Sequence, residues 1–250
     1  MWKVVIIIFV TMCQYGTTNI VTVNSDPNLL IVNGTVIPIK ERPYQVAIDD
    51  TYIPFIRSNV ACGGVIIGTK WILTAGHCLE YDPKVVRAGT SLGNSGGEIF
   101  DIKETYLHPN YTKVPLRNDV AILELDEDIK YSDEMQPIEM MNGFEKIHKD
   151  DYEIVVSGYG RPCYECKKDV RLKKIVVKTI SRDECKQHYK TLLDNQICAI
   201  NKTSSIWDNG QVKLFLMGIS SFGDDCKVNE PMVFSYIPYF LGWIRYITKL

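Results

Sequence analysis

Trp71-Ile72-Leu73-Thr74-Ala75-Gly76-His77-Cys78 sets a short apolar run directly before a histidine, with Cys62-Gly63-Gly64 ahead of it and Asn118-Asp119-Val120-Ala121-Ile122 further on. Outward from this segment the chain consists of similar short runs, at residues 45–48, 64–67, 120–125, 154–157 and 175–180. Gly, Pro and Asn punctuate them throughout, which is the pattern of an all-β sandwich or barrel. Only two stretches read as helix. Ser181 and Glu184 form a capping-box pair ahead of residues 185–189. Phe240, Trp243, Ile244 and Ile247 fall on one face of a terminal helix. No repeat or linker interrupts, so the roughly 220 residues after Leu30 make one long domain or two packed barrels.

The 250 residues carry a formal net charge of −2, with the apolar and charged fractions of a globular domain. A chain this near neutrality gives no reason to expect a nucleic-acid partner. Lys3, the apolar run of residues 4–12 and the small and polar residues after it read as a secretory signal. That run is too short to span a membrane as a helix, and no later segment reaches roughly twenty apolar residues. A buried strand so close to a charged start is disfavoured. Cleavage between Gly16 and Asn19 gives a signal peptide of residues 1–18 and a soluble, secreted, extracellular product without a membrane partner.

Export permits disulfides. Of eight cysteines, Cys13 leaves with the signal; Cys62, Cys78, Cys163, Cys166, Cys185, Cys198 and Cys226 remain. Asn33, Asn110 and Asn201 each have Thr two residues on and are candidates for glycosylation.

Several segments together resemble the chymotrypsin-like serine protease family, and they run in order to the end of the chain. Ile31-Val32-Asn33-Gly34 is similar to the family's mature start, so residues 19–30 correspond to a propeptide-like segment and 31–250 to the protease domain. Pro43-Tyr44-Gln45-Val46 stands where the first strand begins, and the segment ending Gly76-His77-Cys78 resembles the one that bears the catalytic histidine. His108-Pro109-Asn110-Tyr111 and Asn118-Asp119-Val120-Ala121-Ile122 resemble the approach to the triad aspartate and its site. Gly158-Tyr159-Gly160 stands for the usual Gly-Trp-Gly, and Gly218-Ile219-Ser220-Ser221-Phe222-Gly223 resembles the strand bordering substrate. The resemblance implies two six-stranded antiparallel Greek-key barrels with a C-terminal helix and an active site between the barrels. It also implies disulfides Cys62–Cys78 and Cys185–Cys198, each contributing about 2–4 kcal/mol.

Acyl transfer by this mechanism needs a hydroxyl nucleophile, a base, an orienting carboxylate and N–H groups aimed at the oxyanion. The resemblance gives His77 the base, Asp119 the carboxylate and Ser221 a supporting serine. The same residues also fit a buried, hydrogen-bonded polar group with no catalytic role. The nucleophile motif Gly-Asp-Ser-Gly-Gly-Pro is absent between Cys198 and Gly218, and that interval is about ten residues shorter than a working triad implies. Two alignments stand. Asp208-Asn209-Gly210 is the remnant of Asp-Ser-Gly, with Asn209 at the nucleophile position, or the loop is deleted and Asn209-Gly210 is a hairpin turn. Neither supplies a nucleophile.

Glu230-Pro231-Met232-Val233-Phe234 stands where the family has Pro-Gly-Val-Tyr. Met232 therefore either projects into the primary specificity pocket near Gly223 or packs in the barrel. Cys226 lacks its family partner and is expected to pair with Cys163 or Cys166, leaving one of the three free or bonded to a second chain in a disulfide-linked dimer. No metal or other cofactor is expected, since a zinc site would need a fourth ligand. Leu30 before Ile31 is not a trypsin-like cleavage site, as in mite group 3 allergens. Under the first alignment Asp208 is the one internal partner for a freed Ile31 amine, and a glycan on Asn33 would hinder its insertion.

The combined losses resemble the inactivated protease paralogues of scabies mites, which act on host complement. The expected function is that of a pseudoprotease which binds a protein partner, a host protein or a component of a proteolytic cascade, as decoy or inhibitor. The rivals are an active trypsin-like endopeptidase with a displaced nucleophile and a disulfide-linked assembly subunit. Fold alone does not choose among them.

Overall fold

The computed structural model describes residues 4–5, 34–49, 60–142, 152–159, 170–200, 214–223 and 230–250. Two short strands open the described chain, β1 (Val4–Val5) and β2 (Thr35–Val36). Then β3 (Gln45–Asp49), β4 (Val60–Gly68), β5 (Trp71–Thr74), β6 (Val85–Ala88), β7 (Glu98–Leu107) and β8 (Ala121–Leu125) close into a barrel in the order β3-β4-β5-β8-β7-β6. Every pairing in it is antiparallel. The apolar run at β5 explains its central place: Ile72 and Leu73 are wholly buried, one paired with Ile66 and Leu123, the other with Val65 and Ile122. β-branched residues suit this pleated interior, and each such side chain contributes about 1.5–3 kcal/mol on burial.

The second half contains β9 (Glu139–Met140), β10 (Glu153–Tyr159), β11 (Leu172–Thr179), β12 (Gln196–Ile200), β13 (Phe215–Leu216), β14 (Gly218–Gly223) and β15 (Met232–Tyr236). With β1 and β2 they form one nine-stranded sheet whose main path is β14-β15-β12-β11-β10-β1-β13-β9. The double-barrel architecture implied by the family resemblance is present, and the second half departs from it in detail. Among the described residues its hydrogen bonds do not close a ring, and β1 pairs in parallel with both β10 and β13, as does β13 with β9. Among the described residues β13 is two residues long, and β1 and β9 lie on either side of it in the sheet. The N-terminal Val4–Val5, disfavoured as a strand from sequence, is one of them.

Two helices brace this sheet. α1 (Arg182–His188) is capped by Ser181, whose hydroxyl accepts the Glu184 N–H at 3.0 Å. α2 (Ile237–Thr248) follows β15 directly, with Pro238 in its first turn, and buries Phe240 and Ile244. No helix among the described residues is long and apolar enough to cross a membrane. One hydrophobic cluster runs from Ile48, Ile72 and Ile122 of the barrel to Ile154, Ile219 and Phe234 of the sheet. A buried polar link crosses the same boundary: the Ser157 hydroxyl donates to Gln45 Oε1 at 3.2 Å, while Gln45 Nε2 donates to the Gly64 carbonyl.

Candidate active site

The chain leaves β5 at Thr74, whose hydroxyl is tied to the Gly63 carbonyl at 2.7 Å, and turns into a short 3-10 helix, Gly76–Tyr81, which carries His77. Cys78 in that turn is disulfide-bonded to Cys62 on β4. Gly76 is required by packing: a Cβ there would meet the Tyr111 ring at 2.8 Å and Leu107 at 3.0 Å. Asp119 lies two residues before β8, after Asn118 in a left-handed conformation at φ 48°. Asn118 is held there from two sides, donating to the Asn110 carbonyl and accepting from Asn195 Nδ2, each at 2.7 Å. Asn tolerates this backbone region better than most residues.

These two supports bring His77 and Asp119 together. Asp119 is wholly buried and His77 is 7% exposed. The His77 backbone N–H donates to Asp119 Oδ1 at 2.9 Å, and His77 Nδ1 meets Oδ2 at 2.7 Å. A carboxylate only accepts, so Nδ1 is the donor of this pair, and in a neutral ring so held the lone pair is on Nε2. The Ser221 hydroxyl on β14 donates to the same Oδ2 at 2.6 Å, and the Ser235 hydroxyl on β15 to the Asp119 backbone carbonyl at 2.8 Å. Three donors on one buried carboxylate offset its desolvation. The opposite ring nitrogen, His77 Nε2, is buried and has no hydrogen-bond partner among the described residues. An imidazole so oriented can take a proton from a hydroxyl within about 3 Å of Nε2.

Beyond Ser221, β14 continues through half-buried Phe222 to exposed Gly223. Phe222 stacks edge-on with Tyr189, ring centroids 5.3 Å apart, and the Tyr189 hydroxyl donates to the Pro231 carbonyl at 2.9 Å. Met232 pairs with Gly223 across the β14–β15 ladder, half-buried and packed against the main core. A side chain on Gly223 would approach Met232 Cγ at 3.8 Å, so the two positions adjoin. At the rim His188 Nδ1 and Glu230 Oε2 lie 2.7 Å apart, linking α1 to the approach to β15. Cys185 on α1 is disulfide-bonded to Cys198 on β12.

A histidine held on a buried aspartate between two β halves is the arrangement the sequence resemblance implies, and a family model described as Trypsin matches residues 31–244. The chain belongs to the trypsin family. It is 28% identical over 233 residues to trypsin 5G1 of Aedes aegypti, covering 88% of this chain and 85% of that one. Chymotrypsin-2 of Vespa crabro is 29% identical over 224 residues, 86% of this chain and 98% of the relative. Vitamin K-dependent protein C of Mus musculus is 30% identical over 244 residues, where the match spans 88% of this chain and 52% of the longer relative.

Within this trypsin-family frame the structure brings His77, Asp119 and Ser221 into one network and sets Gly223 and Met232 side by side near it. Asn209 and Asp208, which one of the two alignments sets at the nucleophile position and as the amine partner, lie outside the described residues, as do Ile31, Asn33, Asn201, Cys163, Cys166 and Cys226. Asn110 is exposed, on the turn after β7. Ligand atoms of Cys62, His77 and Cys78 fall within 4.8 Å of one another. Metal ligation requires thiolates, and these sulfurs are bonded to each other. Ser235, Asn195 and Tyr189 are members of the site that sequence reasoning did not single out. Their only sequence signal is position, since Ser235 and Tyr189 flank segments read from the resemblance.

Proposed function

We propose that this trypsin-family chain is exported and acts by binding a protein partner without cleaving it. Its carrying observation is the pairing of a buried His77 Nε2 that meets no hydroxyl among the described residues with a sequence from 199 to 217 that holds no Gly-Asp-Ser-Gly-Gly-Pro. Peptide cleavage by this mechanism requires a hydroxyl at Nε2 on a Gly-rich turn that also forms the oxyanion site. Ser204 and Ser205 have no such surround, and Asn209 is an amide without useful nucleophilicity. Met232 beside Gly223 supports the same reading, because an apolar side chain at the pocket wall leaves less room for a substrate side chain. The partner class in this proposal is a protein of a proteolytic cascade, host complement included, engaged as decoy or inhibitor.

One observation favours a second reading, an active endopeptidase with a displaced nucleophile: the His77–Asp119–Ser221 geometry is that of a poised general base. Treating the purified mature protein with a fluorophosphonate probe, beside active trypsin, decides between them. The pseudoprotease reading expects a cooperatively melting protein that stays unlabelled. Labelling that maps to a single serine sinks it and identifies the nucleophile.

A further inference from the structure

Asn110-Tyr111-Thr112 has the sequence of an acceptor for N-linked glycan, and the structure sets it in the loop between β7 and β8 with Asn110 and Thr112 both exposed. The backbone of Asn110 is engaged in the fold. Its N–H donates to His108 Nδ1 at 3.2 Å, and its carbonyl accepts from Asn118 Nδ2 at 2.7 Å. Its side-chain amide makes no hydrogen bond among the described residues. Asn118 and Asn195 are the opposite case, since the amide of each donates, one to the Asn110 carbonyl and the other to Asn118 Oδ1. Tyr111 does not crowd the free amide. Its ring lies inward, where a Cβ on Gly76 would meet it at 2.8 Å, and its hydroxyl donates to Glu80 Oε1 at 3.0 Å. An exposed amide without a structural bond can carry a bulky polar group while every hydrogen bond of the fold stays made.

We propose that Asn110 carries an N-linked oligosaccharide in the exported protein. In the step that attaches it, Asn110 Nδ2 attacks the anomeric carbon of an oligosaccharide held on a lipid diphosphate. The Nδ2–carbon bond forms, the bond from that carbon to the diphosphate oxygen breaks, and the lipid diphosphate leaves. Nδ2 gives up one proton to a base of the transferase, and nothing is oxidised or reduced. The position gives the glycan a role. Leu107 and Val114, on either side of Asn110 in the chain, are 42% and 84% exposed, and His108 seats the turn on Phe240 and Trp243 of α2. A bulky hydrated group rooted between those two apolar side chains keeps other protein surfaces off them. The partner of the proposed binding function therefore does not cover this turn. The inference rests on the export reading and is independent of the missing nucleophile.

The test uses the full chain secreted from eukaryotic cells. The purified protein is treated with peptide N-glycosidase in heavy-oxygen water, which turns a glycosylated asparagine into labelled aspartate, beside a control without the enzyme. The tryptic peptide of residues 104–113 is expected to carry the label at residue 110 in the treated sample alone, while Asn33 and Asn201 report in separate peptides. Asn110→Gln and Thr112→Ala are each expected to lose the mass of one glycan, and Thr112→Ser to keep it. Asn110→Gln is expected to melt cooperatively like the parent, because the amide it alters makes no bond. A secreted parent protein whose residue 110 is recovered as unlabelled asparagine overturns the proposal. So does a chain that stays in the cell with residues 1–18 attached, which fails the export reading instead. Fluorophosphonate labelling bears on neither outcome, so the two proposals fail separately.

Discussion

The two halves of this chain have treated one architecture differently. From β3 to β8 the barrel is closed and wholly antiparallel, and it supplies both His77 and Asp119. The half from β9 to β15 is an open path with parallel pairings and a two-residue β13. What the second half keeps intact is its grip on the first: Ser221 and Ser235 both bond to Asp119. The difference teaches that the buried His77–Asp119 pair is held where it also joins two packed halves.

The sharpest way to break that comparison is to remove the joint. Asp119→Ala leaves His77 Nδ1, the His77 backbone N–H and the Ser221 hydroxyl without their acceptor. A loss of about 3–5 kcal/mol in urea unfolding is expected; a loss under about 1 kcal/mol would mean the network joins nothing.

The disulfides compare the halves directly. Cys62–Cys78 and Cys185–Cys198 have sequence separations of 16 and 13, so replacing either pair by alanine is expected to cost a similar amount, about 3 kcal/mol. A far greater loss from the second pair, measured by chemical denaturation, would show that the open half depends on its cross-link. Ser221→Ala removes one donor of three and is expected to cost about 1–2 kcal/mol. In an Asp119→Ala background it should cost almost nothing, because the two groups share one interaction.

The smallest effect is a pH dependence of the barrel's seam with α2. His108 packs against Phe240 and Trp243, ring centroids 5.3 and 5.0 Å away, and burial lowers its pKa from 6.5. The unfolded chain therefore binds this proton more readily than the folded one. Stability contributed here is present above pH 6.5 and falls as pH drops below it, until the folded histidine also titrates. Thermal melts at about pH 7.5 and 5.5 should show a smaller acid loss in His108→Phe than in the parent; equal losses would remove His108 from the account.

All five apolar runs read from sequence lie on strands β3, β4, β8, β10 and β11, because each carries a buried face of β-branched or aliphatic residues. β7 was not legible for the opposite reason. Of its ten residues only Phe100 is buried, so alternation leaves no readable face. The parallel place of β1 was also beyond reach, since pairing between residues 5 and 216 has no local signature. In the site, His77, Asp119 and Ser221 were reached through family resemblance, which encodes distant geometry that periodicity does not. Ser235 and Asn195 escaped: each acts on the Asn118-Asp119 turn from far along the chain, through a backbone carbonyl or a single amide. Their residue types are ordinary in any strand or turn.

β13 lies near one end of the second sheet and β14 at the other, yet only Met217 separates them in sequence. The circumference of this half is thus clasped by a peptide bond where hydrogen bonds are missing. Met217 is fully buried, and its carbonyl accepts the Ile237 N–H at 2.8 Å, so the clasp is itself bolted to the start of α2. A sheet clasped in this way is held at that seam by the main chain itself, which the loss of any one hydrogen bond does not release.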